Sequence, residues 1–241
     1  MTTSAWVDTV QARSRLMEKT LHSYWIIGAG RFGTRAAETL YKKCPESSLT
    51  LVDQDQAALD RMGHLPAERV CQEGAACLDV HLDSGVEPDW IIPAVPIHLA
   101  FEWLRLKMSN HGGIEILPVP EEIERFLPNP LKGPNGQLFA SYADFVCPDN
   151  CREPFDKCTF TGKPRKGFLY KKIEEISCRD FSSIVIRSRQ LAPGVGGYQP
   201  EALKRSLTQV SKSNTPVLYA TACSCHAVIH AFRRLYGQGL L

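Results

Sequence analysis

The sequence has no long hydrophobic run. None of its apolar stretches approaches the roughly 20 residues that a membrane-spanning helix requires. Residues 1–25 mix acids, bases and apolar residues, and they lack the uninterrupted apolar core of a secretory signal. We therefore expect a cytoplasmic protein that is not membrane-spanning.

An excess of one charge is also absent. The 241 residues include 28 lysines and arginines and 26 aspartates and glutamates, interspersed along the chain, and the net charge is +2. Nucleic acids and anionic membrane surfaces are bound by concentrated basic patches, so the sequence argues against both as partners. The 44% hydrophobic content is enough for a sizeable core, which excludes a disordered chain. A small ligand that is neutral or modestly anionic fits these properties better.

What the sequence does contain is an alternation of strand and helix patterns. It predicts an α/β fold with a doubly wound, mostly parallel, Rossmann-like sheet of about seven strands, interrupted by a cysteine-bearing irregular insertion. Residues 1–120 form the predicted nucleotide-binding portion, which begins with a helix over residues 4–20. Residues 121–168, rich in cysteine, proline and glycine, are predicted to be a metal-binding loop. Residues 169–241 are expected to complete the sheet and to contain a final helix, CHAVIHAFRRL.

The first chemical motif is a glycine loop. The sequence IIGAGRFG places Gly28, Gly30 and Gly33 in the G-x-G-x-x-G spacing, directly between a predicted strand and a predicted helix. In this arrangement the backbone approaches a pyrophosphate closely, and the helix N-terminus offers amides to it. Asp53 ends the next strand, where a carboxylate can accept hydrogen bonds from ribose hydroxyls and would repel a 2′-phosphate. The motif therefore predicts binding of NAD(H) rather than NADP(H).

Residues 23–108 resemble the N-terminal nucleotide-binding domain of the regulators of potassium conductance (RCK type). The matching positions are the loop Gly28, Gly30, Arg31, Phe32 and Gly33, the acid Asp53, and the turn Gly74, Ala75 and Ala76. Ala75 stands where that family has an aspartate beside the adenine. The resemblance covers a little over a third of the chain. It implies nicotinamide dinucleotide binding and a regulatory role that acts through a protein partner.

The second motif is a cysteine cluster. Cys147, Cys151 and Cys158 give the spacing C-x3-C-x6-C in a loop with few apolar residues, where a metal bonded to thiolates would supply the missing folding energy. A zinc site or a cubane cluster needs a fourth ligand, for which Cys223 and Cys225 are the candidates. The absence of C-x2-C pairs favours a [4Fe-4S]-type cluster over zinc. The alternative is a loop of reduced cysteines without a ligand.

These motifs are predicted to converge at one edge of the sheet. Open parallel sheets bind ligands outside the carboxyl ends of their strands, where the glycine loop, Ala94, the sequence APGVGG and the pair Cys223 and Cys225 are all expected. The cysteine loop would then fold over the nucleotide site. Three further interpretations are weaker: a nicotinamide-facing or proton-donating His98, a zinc pair of His226 and His230 on the last helix, and an anion-binding loop at residues 194–197 near Arg187 and Arg189.

Two function classes follow from the sequence. One is a redox-linked oxidoreductase in which NAD(H) and a cysteine-ligated metal centre act on a small-molecule substrate that the sequence does not identify. The other is a non-catalytic NAD and redox sensor of RCK-like type that acts on a protein partner. A third hypothesis is a dehydrogenase-like protein in which a zinc ion only stabilises the loop. A homodimer is compatible with all three hypotheses. The sequence contains no nucleophile and base pattern, which argues against a hydrolase.

Overall fold

A computed structural model describes residues 21–85, 87–176 and 180–235. The helix predicted over residues 4–20 lies outside these ranges. The described chain is an α/β structure with two larger sheets and a two-stranded hairpin, which confirms the predicted class. The single sheet of about seven mostly parallel strands is not what forms: four parallel strands make one sheet, and a separate mixed sheet contains six strands.

The parallel sheet has the order β3-β2-β1-β4. Its strands are β1 (Ser23–Ile27), β2 (Ser48–Asp53), β3 (Glu68–Cys71) and β4 (Trp90–Pro93). The connecting helices are α1 (Arg31–Lys43), α2 (Gln56–Arg61) and α3 (Gly74–His81), and α4 (Leu99–Ser109) follows β4. The strands β1, β2 and β4 are short and carry buried apolar residues, whereas β3, with the sequence ERVC, is an edge strand that is largely exposed. Each strand is followed by a helix, as parallel crossovers require.

The mixed sheet is built around two long strands from the C-terminal part. These are β11 (Val217–Ala222) and β12 (His226–Arg234), which form an antiparallel hairpin. β8 (Ser182–Arg187) pairs in parallel with β11. β12 pairs along its other edge first with β7 (Leu138–Ser141) and then with β5 (Ile114–Leu117), and β6 (Leu131–Lys132) pairs with β7. The helices of this part are α5 (Glu121–Phe126), α6 (Leu169–Glu174) and α7 (Pro200–Lys212).

The predicted helix CHAVIHAFRRL is wrong, because residues 226–234 form β12. Positions 229–232 of this strand are all buried, so both of its faces are covered. A strand buried on both faces loses the alternation of apolar and polar residues, and its apolar run is then indistinguishable from a buried helix. β5 likewise pairs antiparallel with β12 instead of extending the parallel sheet.

A short hairpin connects the two sheets. β9 (Arg189–Ala192) and β10 (Val195–Gly197) form it, and Tyr198, directly after β10, exchanges two backbone hydrogen bonds of 2.8 and 3.0 Å with Ile91 of β4. One apolar cluster contains Ile27 from the parallel sheet together with Phe232 from the mixed sheet, with α4 between them. Both sheets therefore share a core. No helix in the described ranges is long and apolar enough to cross a membrane.

Candidate functional site

The five cysteines predicted as metal ligands line one cavity, which has a volume of about 550 Å³ and is called the cysteine cavity below. Three of them, Cys147, Cys151 and Cys158, lie in residues 142–168, a stretch without helix or regular strand. Cys223 and Cys225 lie in the tight turn between β11 and β12, not at the start of a helix as the sequence suggested. The strand-end position predicted for this pair is nevertheless found, because β11 ends at Ala222.

The loop that carries Cys151 is anchored to both hairpins. The Cys151 carbonyl accepts hydrogen bonds from the Gln190 side-chain amide at 2.6 Å and from the Gly194 amide at 2.9 Å. The Glu153 carboxylate accepts a 2.7 Å hydrogen bond from the Ser224 amide. A Cβ on Gly194 would lie 1.7 Å from the Asp149 carbonyl oxygen, so this glycine permits close contact between loop and hairpin. The APGVGG segment is therefore a hairpin turn that holds the cysteine loop, and this close contact accounts for Gly194 without a bound anion.

Backbone amides point at three of the sulfurs. The Glu153 amide lies 3.4 Å from Cys151 Sγ, and the amides of Cys225 and His226 lie 3.4 and 3.3 Å from Cys223 Sγ. The Thr161 amide and hydroxyl lower the pKa of Cys158, more than burial raises it. Hydrogen bonds from N–H groups favour the thiolate over the thiol. These turns therefore provide the donors that a thiolate ligand needs.

Burial acts in the opposite direction and raises the pKa of three of the cavity thiols. It raises the pKa of Cys223 to about 12, and it is also the main cause of the raised pKa of Cys225, where Arg165 opposes it. The pKa of Cys147 is raised first by burial and then by the neighbouring Cys151, Cys225 and Cys158 thiols. Without a cation these buried groups are neutral thiols near pH 7, and a bound metal would reverse that balance.

The side chains in the cavity are not arranged as a metal site as they stand. Within the described part of the chain, no three cysteine, histidine or acidic side chains are placed so that they could hold a metal ion. His226 lies between two of the cysteines, with Nε2 3.5 Å from Cys147 Sγ and Nδ1 3.8 Å from Cys223 Sγ. The Arg165 guanidinium donates to Cys225 Sγ. Metal binding would require Arg165 to move and the thiols to turn inward.

The glycine loop is a tight turn between β1 and α1. Gly28 has a φ of +108°, and a Cβ there would lie 2.6 Å from the Ala94 carbonyl oxygen. A Cβ on Gly33 would lie 1.8 Å from the Gly28 carbonyl oxygen, so packing alone explains these two glycines. Gly30 differs, because no atom of the described residues lies within 4 Å of its ideal Cβ. In the part of the chain that the structure describes, no side chain caps α1, and the first turn of this helix contains no acid.

The residues expected around the rest of a dinucleotide have other partners in the structure. Asp53 accepts hydrogen bonds from the amides of Ala29, at 2.6 Å, and Asp55, at 2.9 Å. Each carboxylate oxygen keeps a second lone pair for a ribose hydroxyl. The Gly74 to Ala76 turn is the first turn of α3, where the Glu73 carboxylate caps the amides of Ala75 and Ala76. Ala75 is 2% exposed, so its side chain belongs to the core.

The glycine loop and the cysteine loop meet at the start of α1. Phe32, at the start of α1, is 57% exposed and lines the cysteine cavity. Arg31 forms a hydrogen bond and ion pair with Asp149, and Arg35 lies 3.3 Å from the same Asp149 oxygen. The roles of Asp149, Glu153 and Arg165 could not be predicted from the sequence, because single charged residues in an irregular loop carry no pattern that indicates their partners.

The two other histidines of interest lie in the core. His98 Nδ1 is 2.9 Å from His230 Nδ1, and His98 Nε2 is 3.0 Å from the Thr221 hydroxyl. Burial lowers the pKa of both histidines, to about 4 for His230. His226 faces the cysteine cavity while His230 contacts His98, so the predicted zinc pair of His226 and His230 does not form.

Comparison with known proteins gives two matches. Residues 100–235 match the family AF_1314_C, described as an uncharacterized protein, C-terminal domain. An uncharacterized protein from Archaeoglobus fulgidus is 30% identical over 229 residues, which cover 87% of this chain and 98% of the archaeal protein. This coverage is larger than residues 100–235, so the similarity continues into the parallel sheet. The chain therefore belongs to the AF_1314_C family.

Proposed function

We propose that this protein binds NAD(H) at its glycine loop, holds a thiolate-ligated metal centre in the cysteine cavity, and has a redox-linked oxidoreductase activity. The observation that carries the proposal is the convergence of five cysteines from two distant segments on one cavity whose wall includes Phe32, at the start of the helix that follows the glycine loop. Clustered thiols that line one cavity are a donor set that soft metals prefer.

The nucleotide part of the proposal is supported by Gly30. A Cβ at Gly30 would not clash with the described part of the protein, so packing does not explain why this residue is a glycine. The uncapped amides at the start of α1 and the absence of an acid from its first turn leave this helix end suited to a pyrophosphate. Asp53 favours an unphosphorylated ribose and hence NAD(H).

The metal part is supported by the donor set. Cys147, Cys151 and Cys158 would be ligands with Cys225 or Cys223, and the backbone amides that face Cys151 and Cys223 would stabilise their thiolates. An iron-sulfur cluster, which we favour over zinc, would supply electron transfer. The protein would hold it between the loop and the β11–β12 turn and limit the access of water.

The test is metal analysis and a visible spectrum of protein purified without oxygen, before and after addition of NADH. We expect iron, sulfide and a broad visible absorbance that NADH bleaches. Cys151→Ser should lose the metal, while Cys44→Ser, a matched change outside the cavity, should retain it. Equal metal content in the two variants would contradict the metal centre. A colourless protein with one zinc would be compatible with NAD(H) binding, but it would contradict electron transfer by the metal centre and indicate a structural zinc.

A second candidate is the non-catalytic sensor, and the Arg31 and Arg35 contacts with Asp149 favour it. These contacts connect α1, the helix that follows the glycine loop, directly to the cysteine loop. Ligand binding at the glycine loop can therefore bias the conformation of the cysteine loop, and the reverse. Here NADH should change the alkylation rate of the cavity thiols without being consumed. Steady oxidation of NADH when an electron acceptor is supplied would favour the enzyme instead.

A further inference from the structure

A second cavity, of about 250 Å³, lies on the other side of the chain segment that borders the cysteine cavity. This segment runs from the end of β8 into β9. Ser188 and Gln190 line the cysteine cavity, whereas Arg187 and Arg189 line the second one. Successive side chains of an extended chain point to opposite sides, so one short segment contributes to both cavities. We call the second one the arginine cavity.

Helix α7 completes the arginine cavity. Arg205 and Gln209 lie one turn apart on this helix and therefore share a face, and Gln199 precedes its first residue. All three line the cavity together with Arg187 and Arg189. Three guanidinium groups and two side-chain amides thus face one small polar space.

Among residues 21–85, 87–176 and 180–235, no carboxylate forms an ion pair with any of the three arginines, although Glu174 also lines the cavity. The Arg187 guanidinium lies 4.2 Å from the centroid of the Tyr170 ring, which orients it without removing its charge. Like charges gathered in one cavity repel each other, and a bound anion would offset that repulsion.

We propose that the arginine cavity binds a phosphate dianion, either as inorganic phosphate or as the phosphate group of a small ester. The planar guanidinium matches phosphate oxygens with two parallel hydrogen bonds, and glutamine amides can donate to the remaining oxygens. A cavity of about 250 Å³ is small for a whole dinucleotide and suits a phosphate with a short organic part. This site is separate from the glycine loop and does not depend on the proposed redox function.

The test is a calorimetric titration of the full chain with inorganic phosphate at constant ionic strength, maintained with chloride. We expect saturable binding, and Arg205→Gln should weaken it by roughly 10-fold or more. Arg61→Gln removes an exposed arginine from the end of α2 and should change the affinity by less than about 2-fold. Arg189→Gln applies the same test to an arginine of β9 instead of α7. Thermal unfolding of each variant without phosphate establishes that the variant is folded.

Glycerol phosphate, titrated in the same way, distinguishes the two sources of the phosphate. Tighter binding of the ester assigns a phosphorylated small molecule as the ligand, and equal binding assigns free phosphate, so both results support the site. The proposal is overturned if no saturable binding occurs up to about 20 mM phosphate, well above the roughly millimolar dissociation constant expected of a weak but specific site. Equal affinities of the Arg205→Gln and Arg61→Gln variants would overturn it as well.

Discussion

The Arg35 guanidinium lies 3.3 Å from the Asp149 carboxylate, across the junction between α1 and the cysteine loop. Arg31 contacts the same carboxylate oxygen. An acidic side chain is thus already paired with the two basic residues in the first turns of α1, where a bound pyrophosphate would also place negative charge. Nucleotide binding and the position of the cysteine loop are therefore expected to influence each other.

Removal of this charge should tighten nucleotide binding. In Asp149→Asn, Arg31 and Arg35 lose a competing anion, and we expect the affinity for NADH to rise by about 3-fold, measured by fluorescence titration. The pair is partly exposed, so the free energy of unfolding should fall by less than about 1 kcal/mol. Asp144→Asn changes the same charge in the same loop, at a residue that also lines the cavity, and should alter neither value. An unchanged NADH affinity in Asp149→Asn would argue against competition at this helix end.

Two glycine substitutions should separate packing from binding. Gly30→Ala introduces a Cβ into open space, so the thermal unfolding temperature should not change, whereas the affinity for NADH should fall by roughly 10-fold because the pyrophosphate can no longer approach. Gly33→Ala would place a Cβ 1.8 Å from a backbone oxygen and should lower the free energy of unfolding by at least about 2 kcal/mol. Wild-type NADH affinity in Gly30→Ala would contradict the proposed nucleotide site.

The five cavity thiols of metal-free protein should react with iodoacetamide in a defined order. Alkylation needs the thiolate, so Cys158, whose pKa is lowered by the Thr161 hydrogen bonds, should react first as pH rises. Cys223 should react last, because burial raises its pKa to about 12. Peptide mass spectrometry over a pH series measures both. Reaction of Cys223 before Cys158 would contradict the roles given to burial at Cys223 and to the Thr161 hydrogen bonds at Cys158. Bound metal should protect all of its ligands.

The buried histidine pair should make the protein sensitive to acid. Burial lowers the pKa of His98 and His230, so the unfolded chain binds protons near its ordinary pKa of 6.5 while the folded protein does not. Stability present above that pH is therefore lost as the pH falls from about 6.5 toward the folded pKa of His230, about 4. For His230 alone this loss is at most about 3 kcal/mol.

His230→Gln tests the origin of that acid sensitivity. The variant removes one titrating group while keeping a side chain that can hydrogen bond to His98, so its free energy of unfolding should depend less steeply on pH between 4 and 6.5. His111→Gln, at an exposed position, should retain the wild-type slope. Denaturant unfolding at several pH values provides the measurement. Identical slopes in wild type and His230→Gln would place the acid sensitivity elsewhere.

The sequence predicted the parallel half of the fold because its strands and helices have distinct periods. The IIGAGRFG loop, the Asp53 position and the convergence of the cysteines follow from local patterns and from the rule that strand ends share an edge. The β12 strand could not be predicted in this way, since burial of both its faces removed the alternation that distinguishes it from a helix. The Asp149 contacts depend on tertiary placement of an irregular loop, about which local pattern carries no information.

In the segment from Arg187 to Gln190, successive residues line the arginine cavity and the cysteine cavity alternately. Loss or gain of a single residue just before this segment would turn each side chain to the opposite side. The guanidinium groups would then point toward the thiols, and Ser188 and Gln190 would point toward α7. Which polar groups line each cavity thus depends on the strand register as much as on which amino acids are present. Homologues that are one residue longer or shorter at this point should therefore bind different ligands in both the cysteine cavity and the arginine cavity.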